Sequence, residues 1–267
     1  MMHYTLSTSY RKALQKKSER QKIGYQQNYH QNKMLIINAD DYGLNTETTD
    51  NILSCFARKR IYSASAMTFM SDSERAANLA HETKIPVGLH LNFNEPFTGP
   101  TASSRLREHH QKVTTYLNAR KWNQILYNPF LCNAFDFVFQ AQWDEFTRIY
   151  HKEPQRLDGH RHMHLCMNVL LSGKIPKGIK IRRNFTFSRG EKKFMNRLYR
   201  HLIDWWLSSN FSCTDSFFSM EPIDLAKLQK FVFLSKTSEV EVMVHPGREK
   251  EYLFLLSPVW EHLIRKE

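Results

Sequence analysis

The chain has 267 residues, 41% of them hydrophobic, and a formal net charge of +12. That length and apolar content suit one sizeable core, without requiring two domains, and no stretch approaches the roughly 20 uncharged apolar residues of a membrane span. The four cysteines (Cys55, Cys132, Cys166 and Cys213) are scattered and form no C-x-x-C pair, which argues against a disulfide framework or a structural zinc knot and for buried or idle thiols.

Residues 1–33 carry Arg11, Lys12, Lys16, Lys17, Arg20, Lys22 and Lys33 against Glu19 alone. This Gln-, Ser- and Lys-rich segment has little apolar periodicity and reads as a disordered or partly helical extension. Met34 offers an alternative start, and the tail is weakly similar to a transit peptide. No charged-then-apolar signal segment opens the chain. A soluble, cytoplasmic protein is expected, with a homodimer as the default oligomer and no nucleic-acid partner, because a basic tail carries no sequence code by itself.

Residues 34–267 read as a single domain. Strand-like runs at 34–39, 63–69, 87–93, 156–158, 178–182 and 239–245 alternate with helical patterns at 46–59, 72–83, 142–152, 190–208 and 222–230. Buried strands separated by helices indicate parallel βα units, in an open sheet or a barrel, with catalytic groups at the strands' carboxyl ends. The Pro-containing stretch 94–140 is expected to be an insertion near that face.

Four strands finish in ionisable residues. The first, MLIINADDYG, ends in Asp40 and Asp41 before Gly43. Neighbours on a strand face opposite ways, but a turn there would let both carboxylates enter one site, where their repulsion calls for a cation or a proton. The second, VGLHLN, places His90 in an apolar strand. The third, LDGHRHMH, alternates His160, His162 and His164. In an extended chain these would share one face, and imidazole is the commonest metal-ligand side chain; spacing does not say which of the three binds. The fourth, EVEVMVHPG, ends in His245 and is stopped by Pro246-Gly247. A mixed set of histidines and carboxylates suits a catalytic divalent ion, which polarises a carbonyl and acidifies a water. A second carboxylate would then serve as base and a histidine as acid.

In this order, NADDYG, GLHLN, LDGHRHMH and VMVHPG resemble the motifs of the YdjC/ChbG-like carbohydrate deacetylases, from about Met34 to just beyond His245. The resemblance implies an irregular (β/α) TIM-like barrel related to the NodB-type polysaccharide deacetylases. It implies one divalent ion, magnesium or zinc, and removal of acetyl groups from N-acetylated sugars such as chitooligosaccharides. Carried over by motif, Asp41, His90 and His160 would hold the metal, Asp40 would be the general base and His245 the general acid. Arg182 would orient Asp40, and His162 and His164 would be supporting or substrate-contacting groups. The chain departs from the pattern at Phe93-Asn94-Glu95-Pro96, where relatives often carry a small polar residue. Stretch 101–140, expected to shape the sugar pocket, matches nothing in the family pattern. Trp122, Trp143, Trp205 and Trp206 are candidates for stacking on sugar rings, although Trp205-Trp206 on a helical pattern favours core. Two rival functions are a metal phosphoesterase on the same ligands and a non-enzymatic binder of acidic polymers.

Overall fold

The computed structural model describes residues 35–187 and 193–265; the expected disordered extension at 1–33 and the start of the 190–208 helix lie outside these. Seven strands form one fully parallel sheet: β1 (Leu35–Tyr42), β2 (Ser63–Ala66), β3 (Val87–Leu91), β4 (Arg156–Gly159), β5 (Lys180–Ile181), β6 (Ser216–Ser219) and β7 (Val240–Val244). Their spatial order is β5-β4-β3-β2-β1-β7-β6, so β1 lies inside the arc with β2 and β7 as neighbours. The sheet curls until its two edges meet at a few points. Ile181 N–H donates to Ser212 O (2.8 Å), and Thr186 N–H to Phe217 O (2.8 Å). The result is an irregular, TIM-like α/β half-barrel.

Helices α1 (Thr46–Ala57), α2 (Ser73–Thr83), α3 (Ser104–Ala119), α4 (Cys132–Tyr150), α5 (Met167–Leu170), α6 (Phe194–Asn210), α7 (Leu225–Leu234), α8 (Glu249–Leu256) and α9 (Pro258–Arg265) connect and flank the strands. Local chemistry sets several starts. Asn45 Oδ1 accepts from Thr48 N–H (2.9 Å) at α1, and Ser103 Oγ from Leu106 N–H (3.2 Å) at α3. The expected insertion is mostly α3, two short 3₁₀ turns and the first half of α4. The helical pattern expected at 142–152 is only the end of α4, whose Phe135, Val138, Phe139 and Phe146 bury deeply.

Strand alternation sorts two chemistries. Ile37, Ala39, Ala64, Ala66, Leu89, Leu157, Val242 and Val244 belong to the apolar core. The alternate residues meet on the inner face as a polar lattice. Asn38 Nδ2–H donates to Ser65 Oγ (2.8 Å), Ser65 Oγ–H to Asp158 Oδ2 (2.7 Å), and Arg182 Nε–H to Glu241 Oε1 (2.7 Å). Arg156 lies within the same lattice, bonded to Asn38, Asp158 and Glu241. Parallel register sets His90 opposite Asp158. Gly88 leaves room for the long side chain: a Cβ there would lie 2.9 Å from Arg156 O and 3.0 Å from Arg156 Cβ.

Candidate active site

The site crowns this polar lattice at the carboxyl ends of the strands. β1 delivers both of its carboxylates because its ladder is broken between Ala39 and Tyr42. Asp41 adopts φ 69°, in the left-handed region, and Gly43 follows at φ 86°. The turn is therefore made partly by Asp41 itself. Tyr42 is driven into the core, where its hydroxyl donates to Ala76 O (2.8 Å).

Asp40 is fully buried, and Arg182 grips it with both terminal nitrogens (Nη1 to Oδ2 2.6 Å, Nη2 to Oδ1 2.7 Å). Burial would raise its pKa, but Arg182 and His90 outweigh burial and hold it below the usual carboxylate range. Asp41 is likewise pushed up by burial and held well below its ordinary value by the close imidazoles of His160 and His90. His160 Nδ1 lies 2.9 Å from Asp41 Oδ1.

His90 is fixed from behind. Its Nδ1–H donates to Asp158 Oδ1 (2.7 Å), which turns Nε2 toward Asp41 Oδ1 (3.3 Å) and Asp40 Oδ2 (3.9 Å). Nε2 is buried without a hydrogen-bond partner among the described residues. Burial alone would lower the pKa of His90, yet the charges of Asp40 and Asp158 lift it to about 10: the carboxylates on its two sides favour positive charge there. A donor atom each from Asp41, His90 and His160 lie within 4.8 Å of one another. The orphaned Nε2 and this donor chemistry fit a divalent ion. A second cluster, Asp40, His90 and Asp158, is equally tight, but the Arg182 guanidinium already lies against both of its carboxylates.

The three alternating histidines do not share a face. The expectation of an extended chain fails because β4 ends at Gly159 and a 3₁₀ turn spans His160–Leu165, with Arg161 (φ 50°) and His162 (φ 60°) in the left-handed region. His160 reaches Asp41. His162 packs edge-on against Phe185 (4.6 Å) and Phe217 (5.7 Å) and also lines the cavity. His164 is wholly buried, its Nε2–H donating to Arg182 O (2.9 Å). Burial, reinforced by Arg182, drives His162 down to about 3. Burial also takes His164 down to about 4, so both are neutral at neutral pH. Gly159 is required by the same turn, since a Cβ would lie 2.9 Å from His164 N.

His245 stands just beyond β7. Its backbone N–H donates to Glu251 Oε2 (2.8 Å), and its ring Nδ1 lies 3.5 Å from Glu251 Oε1. Burial lowers its pKa; Glu251 and the charges of Asp40 and Asp41 outweigh burial and raise it. Asp40, Asp41, His90, His160 and His245 all line one open cavity of ≈ 520 Å³, walled further by Glu95, Arg161 and Arg248.

Asp158, Glu241 and Glu251 were not among the residues singled out from sequence. The first two left a trace, as charged residues spaced by two in R-L-D and E-V-E-V. Glu251 left none, because it returns from a helix six residues after His245. None of Trp122, Trp143, Trp205 or Trp206 lines the cavity. Trp143 is core, whereas Trp205 is 67% exposed, against the expectation of a core pair. From the stretch 94–140, only Glu95, Pro96 and Thr98 line the cavity.

The family profile described as YdjC-like protein matches residues 34–266. Chitooligosaccharide deacetylases of Yersinia pestis and Yersinia pseudotuberculosis are 29% identical over 140 residues, covering 51% of this chain and 53% of theirs. The chain thus spans about half the length of the curated relatives it matches. Among solved structures, a "putative cellobiose-phosphate cleavage protein" from Enterococcus faecalis V583 superposes with a TM-score of 0.61 at 17% identity, over 88% of this chain and 94% of the other.

Proposed function

Since the chain belongs to the YdjC-like family, we propose that its rim site is that of a metal-dependent carbohydrate deacetylase, which hydrolyses the acetamide of N-acetylated, chitooligosaccharide-like sugars. The observation that carries this reading is the convergence of Asp41, His90 and His160 donor atoms, with His245 on the same cavity wall. Asp41, His90 and His160 would hold the ion, zinc being favoured over magnesium by the two imidazoles. When bound, the ion supplies Lewis-acid polarisation of the acetamide carbonyl and raises the acidity of water.

The remaining work falls to the chain's own groups. Asp40, kept ionised by Arg182, accepts the proton of the attacking water. An Asp already gripped by a guanidinium is a weak base, which fits a water that needs little persuasion. His245, its proton retained with the help of Glu251, gives that proton to the departing sugar amine, a poor leaving group until protonated. Asp158 holds the His90 tautomer that points Nε2 at the site.

The guanidinium groups around the cavity favour acetyl over phosphoryl transfer. Arg182 is engaged by Asp40, Asp158 and Glu241, Arg161 by Glu95, and Arg248 by Glu221 and Glu251. A phosphoryl group would need at least one of them for itself. The test is acetate release from N-acetylglucosamine oligomers by wild type and Asp40→Asn, before and after chelation and re-addition of zinc or magnesium. Turnover should vanish with chelator, return with metal, and fall by about 10²–10⁴-fold in Asp40→Asn. Acetate release indifferent to chelator, or undiminished in Asp40→Asn, overturns the reading. Phosphate release from sugar phosphates without acetate release would move the site to the phosphoesterase class.

A further inference from the structure

Helix α6 buries little of itself: of its 17 residues only Leu207 is fully enclosed. Phe194 is 73% exposed, Met195 71%, Leu198 41%, Leu202 54% and Trp205 67%. At 3.6 residues per turn these five fall within one arc of about 100°. Beside the arc runs an apolar groove of ≈ 260 Å³, between α6 and the Leu170–Leu171 turn, where Leu171 is itself 57% exposed. Monomeric proteins rarely leave an apolar surface of this continuity in water.

Charge selects the occupant. Lys193 and Arg197, both exposed, follow one border of the arc, and exposed Lys174 and Lys177 follow Leu171. The one carboxylate of α6, Asp204, is turned inward to Asn184 N–H (3.0 Å) and Arg183 Nη2 (3.1 Å). We propose that this face docks on an anionic lipid surface, with the apolar arc among the upper acyl carbons and the cationic border at the headgroups. A second copy of the chain would set the same cationic border against itself. A nucleic acid would meet the cations but offer nothing to bury Phe194, Leu198 and Leu202. An anionic bilayer satisfies both parts, and a Trp at the boundary suits the headgroup layer. The inference does not depend on the deacetylase reading.

The test is flotation of the full-length chain with vesicles of phosphatidylcholine alone or with phosphatidylglycerol. Leu198→Glu/Leu202→Glu, at exposed positions that spare Leu207, serves as the variant, and circular dichroism checks its fold. The basic residues 1–33 remain in both proteins, so their contribution cancels. Wild type should float with anionic vesicles only, and the double variant should partition roughly tenfold less or weaker still. Trp emission should shift to the blue on binding in wild type and in Trp122→Phe but not in Trp205→Phe. Failure of wild type to float, equal flotation of the double variant, or conversion of a dimer to a monomer by the double variant overturns the proposal.

Discussion

Asp158 lies off the cavity lining yet touches three groups that shape it: His90 (2.7 Å), Arg182 (2.8 Å) and Ser65 (2.7 Å). Replacing it with Asn keeps the volume and removes the carboxylate that fixes His90. Zinc affinity of Asp158→Asn should fall by about 10–100-fold, read by competition with a chromophoric chelator; unchanged affinity would remove Asp158 from the site. Glu251 has the matching part beside His245, the proposed acid. Its charge helps raise the pKa of His245, and an acid must carry its proton to act. Glu251→Gln lowers that pKa, so the alkaline limb of the rate profile should move to lower pH while the acid limb stays put. At this scale the sequence displayed the groups that end strands, because an ionisable residue after an apolar run stands out. It hid Glu251, which turns back to His245 from the helix that follows, and it tied Arg182 to Asp40 only through the family resemblance, since no local pattern links residues 142 positions apart.

Strand existence was legible wherever one face is apolar: β1, β3 and β7 announce themselves through Ile37, Leu89 and Val242. β6 escaped notice because four residues between Asp215 and Met220 carry too short a period, and β5 shrank to Lys180–Ile181 because only Arg156 and Leu157 of β4 pair with it. The LDGHRHMH motif misled by its regularity. Period two implies a strand only while the backbone stays extended, and two left-handed residues after Gly159 end that. Helix α6 has a single fully buried side chain, Leu207, with Ile203 and Trp206 partly buried against the core. Leu207→Ala should cost about 2–5 kcal/mol in urea unfolding, and amide exchange should quicken first within Phe194–Asn210. Protection lost evenly over all helices instead would mean that Leu207 anchors the whole core rather than α6.

Across the whole molecule, the candidate metal donors come from β1, β3 and the turn after β4, so an ion there ties together elements spread over more than a hundred positions of chain. Ligand that binds only the folded state stabilises by mass action, about 2.7 kcal/mol at a free concentration one hundred times Kd. Zinc should therefore raise Tm in wild type and leave Asp41→Asn and His160→Ala unmoved; an equal rise in all three would place the ion elsewhere. Parallel βα units were readable from the alternation of strands and helices, and the barrel from the family resemblance, but the charged character of its interior was not, since each strand contributes only one or two such residues and their meeting is a product of curvature. That lattice of Arg156, Arg182, Asp158 and Glu241 has a cost for anyone engineering the protein. Apolar replacements of similar shape at buried ion clusters often leave a fold as stable or more so, so a hydrocarbon-filled lumen is the obvious route to a heat-resistant variant. Here the same guanidinium that such a redesign would discard is the one gripping Asp40, so under the proposed mechanism a hardier barrel would come out chemically silent.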